Sequence, residues 1–197
     1  MKIIAGPNLF LFPFSPPHAE LLSDWLPTKQ ALRQWSGTEA DVPSTVKDTA
    51  NCFKAYSQHG SERVYSISLR STAMLAGHGA IRDIDTVAGT GRLARILLAP
   101  VFRGQGLGKE VTALLCTAAF DIVELNSLSL RVNQDNTAAI SSFLACGFEF
   151  GASDAMRYRI GNEVLIVREM VLELAAWKES KPVWAKAMRK GEDCCDH

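Results

Sequence analysis

Residues 93–109 read LARILLAPVFRGQGLGK, and this stretch decides how the chain folds. It begins with a run from Leu93 to Ala99 that is apolar except for Arg95 and is ended by Pro100. Such a run is typical of a central strand covered on both faces. From Leu107 onward, apolar residues recur at helical spacing, which predicts a helix of about four turns. A buried strand that leads through a tight turn into an amphipathic helix indicates an α/β or α+β protein.

The turn between this strand and helix predicts an anion site. Its glycines, Gly104, Gly106 and Gly108, alternate with other residues and let the backbone pass close to a ligand. Free N–H groups and the positive end of the helix dipole converge there, which suits phosphate or pyrophosphate, and Arg103 or Lys109 adds positive charge. A dinucleotide fingerprint would need glycine in place of Lys109. A Walker A loop would need glycine at position 103 and Ser or Thr at position 110, so neither motif fits.

Outward from this segment, strand and helix patterns alternate along the chain. The predicted strands are Asn8–Phe12, Val64–Leu69, Met74–Ile84, Leu128–Val132 and a closing hairpin of Arg157–Ile160 with Val164–Leu172. The other predicted helices are Ala19–Leu26, Lys29–Trp35, Ser44 to about Tyr56, and Thr137–Ala145 with Asn136 as a plausible N-cap and Gly147 as its left-handed end.

Composition narrows the class of protein. The chain has 197 residues, of which 47% are hydrophobic and 21% charged, as expected for a globular domain. Its 21 Lys and Arg balance 21 Asp and Glu, so neither nucleic acid nor a membrane is expected as a partner. The odd set of five cysteines follows no disulfide-module spacing, which favours a reducing, cytoplasmic location. The apolar stretch 3–14 is too short and too broken by Gly and Pro for a signal or anchor. One domain over 1–177 is predicted, with a polar tail over 178–197.

Two linked motifs resemble the GNAT superfamily of N-acetyltransferases. The sequence Arg103-Gly104-Gln105-Gly106-Leu107-Gly108, opening a helix, is similar to that family's acyl-CoA motif [RQ]-x-x-G-x-[GA]. The second motif is the strand Leu128–Val132 followed by Asn136, Ala139 and Gly147-Phe148. The resemblance covers residues 75–172 well and the first 70 residues loosely. It implies an α+β acyl-CoA N-acyltransferase fold with a mixed central sheet of about six or seven strands flanked by helices.

The resemblance also implies which residues would bind acetyl-CoA, the expected co-substrate. The backbone of Ile96, Leu97 and Leu98 would meet the pantetheine arm and the thioester, with the Leu97 N–H as a candidate oxyanion donor. Asn136 would touch the cofactor near a split between the two central strands, or would serve only as a helix cap. The residues that would cradle the pyrophosphate are Arg103, Gly104, Gln105, Gly106, Leu107, Gly108 and Lys109.

The implied reaction is direct attack of a neutral primary amine on the thioester in a ternary complex. The amine would belong to a small molecule or to a peptide or protein N-terminus, and the enzyme would be a monomer or homodimer. Phe143 stands where many relatives carry a tyrosine acid, and Arg131 where some carry a glutamate base. These departures leave a catalytically weak acyl-CoA-binding sensor as the alternative, whereas Lys109 disfavours a nicotinamide dinucleotide domain.

Few side chains suggest proton transfer or acceptor binding. His78, in Gly77-His78-Gly79 near the expected cleft, is the candidate base, with a hydrogen-bonded structural histidine as the competing interpretation. Trp35 is the candidate substrate-binding residue, as part of an aromatic wall with Trp25 or as ordinary helix packing. Weaker candidates for the base are Asp83, Asp85 and Glu149.

The cysteines predict neither a nucleophile nor a metal site. Cys116 lies within the apolar repeat of a helix and Cys146 at a helix end, where both would pack rather than react. The C-terminal Cys194-Cys195-Asp196-His197 places adjacent ligands on a free end, which makes a poor closed site. No metal is therefore predicted.

Overall fold

A mixed sheet forms the centre of the molecule. The computed structural model describes residues 3–28, 31, 35, 61–160 and 163–186. Within them, nine strands follow the order β1-β2-β3-β4-β5-β6-β9-β7, with β8 also paired to β9. The count exceeds the expected six or seven because β1 and β7 are two-residue strands that the sequence pattern did not reveal. The strands are β1 Ile4–Ala5, β2 Leu9–Pro13, β3 Arg63–Leu69, β4 Leu75–Asp85, β5 Thr90–Leu98, β6 Ser127–Asn133, β7 Glu149–Phe150, β8 Met156–Ile160 and β9 Glu163–Glu173.

Five helices are numbered here along the described chain. They are α1 His18–Asp24, α2 Leu107–Thr117, α3 Thr137–Leu144, α4 Leu174–Ser180 and α5 Val183–Lys186, with a 3₁₀ turn at Pro100–Phe102 and a π turn at Ala118–Ile122. The predicted ends of α3 are confirmed, because the Asn136 side chain accepts a hydrogen bond from the Ala139 N–H and Gly147 has a φ of 92°. The helix predicted from 44 to 56, and most of the one over 29–35, lie outside the described residues.

The sheet opens between β5 and β6. These parallel strands pair from Thr90 opposite Ser127 to Leu93 opposite Leu130, and then both continue without pairing to each other in the described structure. Each strand keeps its outer neighbour, since β4 follows β5 as far as Leu98 while β9 follows β6 along its whole length. The free halves of β5 and β6 therefore border an opening in the middle of the sheet.

The two faces of the sheet carry different layers. On one face α2 packs so closely that a Cβ on Gly79 would lie 2.7 Å from a methyl carbon of Leu115. On the other face, α1 and Trp35 form an apolar cluster that includes Leu97 of β5. Ser66, His78 and Leu97 are register partners across β3, β4 and β5, so their side chains share this second face.

The chain beyond β9 packs against the domain. The predicted boundary between residues 177 and 178 falls inside α4, where Trp177 is fully buried and stacks on Phe120 with ring centroids 6.1 Å apart. Lys181 forms an ion pair with Asp121. Residues 187–197 lie outside the described part, and the division into domain and tail stays a prediction. In the segments that the structure describes, every helix falls short of the length and apolarity needed to cross a membrane.

Candidate functional site

The glycine turn before α2 is open to solvent. Gly104 and Gly106 have φ values of 72° and 79°, which L side chains adopt with strain, so the backbone itself requires glycine there. A Cβ built on either one meets nothing within 4 Å. Gly106 is the N-cap of α2 and supplies no side-chain acceptor, so the first N–H groups of the helix are available to a ligand. Arg103 and Gln105 are exposed beside them, and Lys109 follows in the first turn.

Gly108 serves a different purpose from the other two glycines. A Cβ at this position would lie 2.7 Å from the Ser142 Oγ of α3. Its lack of a side chain therefore allows α2 and α3 to approach closely. The sequence pattern predicts that Gly104, Gly106 and Gly108 all bind a ligand. The structure shows that Gly108 also has a packing role.

The first turn of α2 is fixed by Glu110, a residue that no sequence pattern marks. Its carboxylate accepts hydrogen bonds from the Asn8 N–H at 2.8 Å, the Asn8 Nδ2 at 2.9 Å and the Leu9 N–H at 2.9 Å. Gly6 leaves room for this carboxylate, because a Cβ there would lie 2.4 Å from Oε1. The turn between β1 and β2 thus holds the end of α2 that presents the anion site.

The backbone of Leu97 faces β4. The Ala99 N–H donates to the Ala76 carbonyl of β4 at 2.9 Å, and alternate residues of a strand direct their backbone groups to the same neighbour. A Cβ built on Gly77 lies only 2.6 Å from the Leu97 carbonyl oxygen, as this orientation requires. The Leu97 N–H expected at the oxyanion is therefore turned toward the sheet.

Ile96 and Leu98 direct their backbone groups to the opening instead. They alternate with Leu97, so their N–H and C=O groups point away from β4. The side chain of Arg103 folds back from the turn, and its Nε donates to the Leu98 carbonyl at 3.0 Å. Of the three residues predicted to offer backbone to the cofactor, these two border the opening, and one of them contacts the predicted anion site.

β5 contains a bulge that the sequence pattern did not predict. Ala94 pairs with Ala80, but Leu97 pairs with His78, so β5 has one residue more than β4 between the two pairs. Arg95 lies in this extra length with a φ of 56°, a left-handed conformation rarely adopted by arginine. Its side chain is buried beside Glu62, with 3.8 Å between Nη1 and Oε2. Glu62 also binds Arg82 at 2.7 Å, which forms a buried ionic cluster behind the bulge.

His78 is enclosed by aromatic rings. It is 1% exposed, with ring centroids 5.6 Å from Phe14 and 6.1 Å from Trp35. Burial and then the positive charge of Arg95 lower its pKa to about 3, although a hydrogen bond with the Tyr65 backbone opposes the shift. The ring is therefore neutral at pH 7. It lies beside Leu97, near the opening, but a base with this pKa retains a proton poorly, which favours the structural interpretation.

The low pKa of His78 predicts acid sensitivity. Below pH 6.5 the unfolded chain gains a proton at this residue, and the folded chain does not until the pH approaches its folded pKa of about 3. The free energy of unfolding should therefore decrease by about 1.4 kcal/mol for each pH unit below 6.5. Between pH 7.5 and pH 4.5 the decrease amounts to about 3 kcal/mol. Urea unfolding at both pH values should show a smaller loss for His78→Gln than for the wild type. His18→Gln, at a half-buried histidine, is the control, and equal losses in wild type and His78→Gln would contradict the prediction.

The remaining candidate residues divide between packing and the periphery. Phe143, in place of a tyrosine acid, is buried in the core and packs edge-on against Phe148 at 5.9 Å. Arg131 is exposed on β6, next to the opening. Asn136 is confirmed as a cap, and its contact with a cofactor stays a prediction. Trp35 is 8% exposed and buried within the α1 cluster.

The carboxylate candidates lie away from the opening. Asp83 is exposed and paired to Arg92 at 2.6 Å, and Asp85 accepts two N–H groups of its own turn. Both are at the end of β4 where β5 and β6 remain paired. Glu149 is on β7, in the other half of the sheet.

The described cysteines have the environment of packing residues. Cys116 and Cys146 are buried, and burial raises the pKa of both thiols, that of Cys146 to about 12. Neither is activated as a nucleophile. The described residues hold no cluster of three His, Cys, Asp or Glu side chains suited to a metal, and Cys194–His197 falls outside them.

A split mixed sheet beside an open, left-handed glycine turn defines an α+β protein with a candidate anion site at the edge of its opening. This chain belongs to the GNAT acetyltransferase family, because the family model described as an acetyltransferase (GNAT) domain matches residues 8–149. The predicted resemblance is thereby confirmed.

Solved structures confirm the fold. The spermidine N-acetyltransferase of Vibrio cholerae, solved with CoA and spermine, has a TM-score of 0.75 and 15% identity, covering 88% of this chain and 99% of that one. A GCN5-related N-acetyltransferase from Brucella melitensis has a TM-score of 0.74 and 16% identity, covering 94% and 84%. A mycothiol acetyltransferase of Renibacterium salmoninarum is 36% identical over 84 residues, or 41% of this chain. The chain matches only 21% of that relative's length.

Proposed function

We propose that this chain transfers an acetyl group from acetyl-CoA to a primary amine, by direct attack within a ternary complex. The observation that carries the proposal is the opening between β5 and β6 next to the exposed glycine turn of α2. Family membership supports acetyl-CoA as the co-substrate. The Vibrio cholerae neighbour solved with CoA and spermine is consistent with an amine acceptor.

The turn suits the diphosphate of acetyl-CoA. Two left-handed glycines shape the turn, the first N–H groups of α2 follow it without a side-chain cap, and the α2 dipole adds positive potential at the same point. Arg103 and Lys109 supply formal charge. From there the pantetheine arm would run along the free half of β5, where Ile96 and Leu98 lie beyond the last residues paired with β6 and border the opening.

The chemistry needs alignment and an oxyanion contact more than reactive side chains. Holding the amine against the thioester can lower the barrier by about 7–11 kcal/mol. The N–H groups of Ile96 and Leu98 face the opening and are the proposed oxyanion donors, in place of Leu97. A thiolate leaving group whose thiol has a pKa of about 8.5 can take its proton from water. The reaction therefore does not require an acid at the position of Phe143. We assign the amine's proton to water, with His78 as the alternative base.

The acceptor is proposed only as a class. One relative is a spermidine N-acetyltransferase and another is a mycothiol acetyltransferase, and because these names differ, neither acceptor is transferred to this chain. A primary amine on a small molecule or on a peptide or protein N-terminus is consistent with the proposed reaction. A cytoplasmic location and a monomeric or homodimeric state stay predictions.

The second candidate function is an acyl-CoA sensor without catalysis. It is favoured by the burial of Phe143 and by the lowered pKa of His78, which leave the site without an evident acid or base. Such a protein would bind the cofactor through the same turn. It would release no thiol in the presence of amines.

Two measurements test these functions. Calorimetry with acetyl-CoA, CoA and NAD should show binding of the first two only. Thiol release from acetyl-CoA should then depend on one member of a panel of polyamines, amino acids, aminoglycosides and peptides with free N-termini. Binding without release across the panel would favour the sensor. Binding of NAD alone would overturn both functions.

A further inference from the structure

The Trp35 side chain reaches across to the bulge in β5. Its indole Nε1 donates a hydrogen bond to the Arg95 carbonyl at 3.0 Å. Both residues are buried, at 8% and 5% exposure. The bond joins the layer that covers one face of the sheet to the strand proposed to guide acetyl-CoA.

The carbonyl that Trp35 holds belongs to a strained residue. Arg95 has a φ of 56°, and a non-glycine residue keeps such a conformation only where its surroundings fix it. A bulge also disrupts the regular ladder at the extra residue, so a buried carbonyl there needs a donor from elsewhere. The indole N–H meets this need.

Trp35 restrains the side chain of Arg95 as well as its backbone. The guanidinium carbon lies 5.9 Å from the centroid of the Trp35 ring. The Oε2 atom of Glu62 lies 3.8 Å from Nη1 of the same guanidinium. Backbone and side chain of the bulge are therefore both held from the α1 side of the sheet.

The bulge decides which backbone groups of β5 face the opening. Ala94 and Leu97 pair with Ala80 and His78, which are two residues apart and share a face of β4. Ala94 and Leu97 thus share that face although they are three residues apart, so the alternation reverses between them. Without the extra residue, the N–H and C=O of Ile96 would point toward β4, and those of Leu97 would point to the opening.

We propose that Trp35 is a positioning residue whose indole N–H holds the Arg95 bulge and so aims the Ile96 and Leu98 N–H groups at the bound thioester. This inference rests on the proposed acetyl transfer. It gives Trp35 a role different from the acceptor wall expected from the sequence. The indole acts through the Arg95 backbone and need not touch either substrate.

The test is Trp35→Phe, which keeps an aromatic ring and removes the N–H. We expect kcat to fall about tenfold, the factor that one buried hydrogen bond is worth. The Kd for CoA and the KM for the amine should stay within about twofold, because the turn at α2 is unchanged. Hydrogen exchange of the amides in 95–98 should become at least about tenfold faster.

Trp177→Phe is the matched control. Trp177 is fully buried on the other side of the domain, and its Nε1 has no hydrogen-bond partner in the described structure. The same chemical change there should leave kcat and the exchange of 95–98 within about twofold of the wild type. An equal effect of both substitutions would reduce Trp35 to general packing and overturn the proposal.

The remaining outcomes are decisive. Unchanged kcat and unchanged hydrogen exchange in Trp35→Phe would overturn the proposal. A rise confined to the KM for the amine would also overturn it, and would favour the predicted role of Trp35 in binding the acceptor. If the wild type binds acetyl-CoA but acetylates no amine, the proposed function fails separately. The exchange measurement then decides alone whether Trp35 holds the bulge.

Discussion

Gly106→Val is expected to weaken acetyl-CoA binding by at least about a hundredfold while the protein remains folded. A β-branched residue is strained at a φ of 79° and would shift the turn, which moves the first N–H groups of α2 away from the diphosphate. Each charge-assisted hydrogen bond is worth about 1.5–3 kcal/mol, so losing two accounts for this factor or more. Calorimetry with acetyl-CoA measures the loss. Circular dichroism should stay unchanged, because a Cβ at this position meets nothing within 4 Å.

Gly106→Asn separates backbone geometry from the mere presence of a side chain. Asparagine adopts the left-handed region several times more readily than other L residues, so this variant should bind acetyl-CoA within about tenfold of the wild type. Valine and asparagine are similar in volume, and the space around the position is open for both. If Gly106→Val binds as tightly as the wild type, the turn does not hold the diphosphate and the proposed function loses its basis.

The turn could be predicted because its chemistry is local. Glycine alone adopts positive φ without strain, and the left-handed conformation predicted at Gly147 is present in the structure. Gly104 and Gly106, predicted to let the backbone pass close to a ligand, adopt positive φ as well. The Asn136 cap followed from the same kind of rule, since a short polar side chain before an apolar run satisfies the first N–H groups of a helix. A conformation or cap that depends on a few sequence neighbours could therefore be predicted, whereas the binding role of the turn stays a prediction.

The bulge could not be predicted because it is set by distant partners. The run from Leu93 to Leu98 has the same apolar pattern with or without an extra residue, and nothing local marks a left-handed arginine. The bulge appears only in the register with β4, and the donor to its carbonyl is a tryptophan 60 positions away. The same dependence turns the N–H of Leu97, the predicted oxyanion donor, toward β4, because the direction of this N–H follows from register.

A signal for the buried ionic cluster was present but incomplete. Arg95 is the one charge in the apolar run from Leu93 to Ala99, and a buried charge requires a partner. The sequence does not indicate which carboxylate pairs with Arg95. Glu62 precedes β3 by one residue and reaches Arg95 because β3, β4 and β5 are adjacent in the sheet. The role of Glu110 could not be predicted for the same reason, because its hydrogen-bond partners are about a hundred residues earlier in the chain.

Asp83→Asn provides the surface reference for a prediction about this cluster, because asparagine removes the charge and tolerates the φ of 50° at this position. Asp83 and Arg92 form an ion pair at 2.6 Å with side chains 59% and 23% exposed. Exposed pairs are worth about 0–1 kcal/mol and are screened by salt, so this substitution should cost no more than that, and less at high salt. The pair lies on the same two strands, β4 and β5, as the buried arginines.

Glu62→Ala should instead lower the free energy of unfolding by about 3–5 kcal/mol, because removing one partner leaves buried charge uncompensated. The Glu62 side chain is 7% exposed, and its oxygens lie 2.7 Å from Arg82 and 3.8 Å from Arg95, whose side chains are 14% and 2% exposed. Urea unfolding at low and high salt measures the cost, which salt should change little. Adding Arg82→Met to Glu62→Ala should recover part of it, since a neutral side chain of similar length replaces one stranded charge. A loss no larger than that of Asp83→Asn would show that Glu62 does not balance these arginines, and that the bulge is held without it.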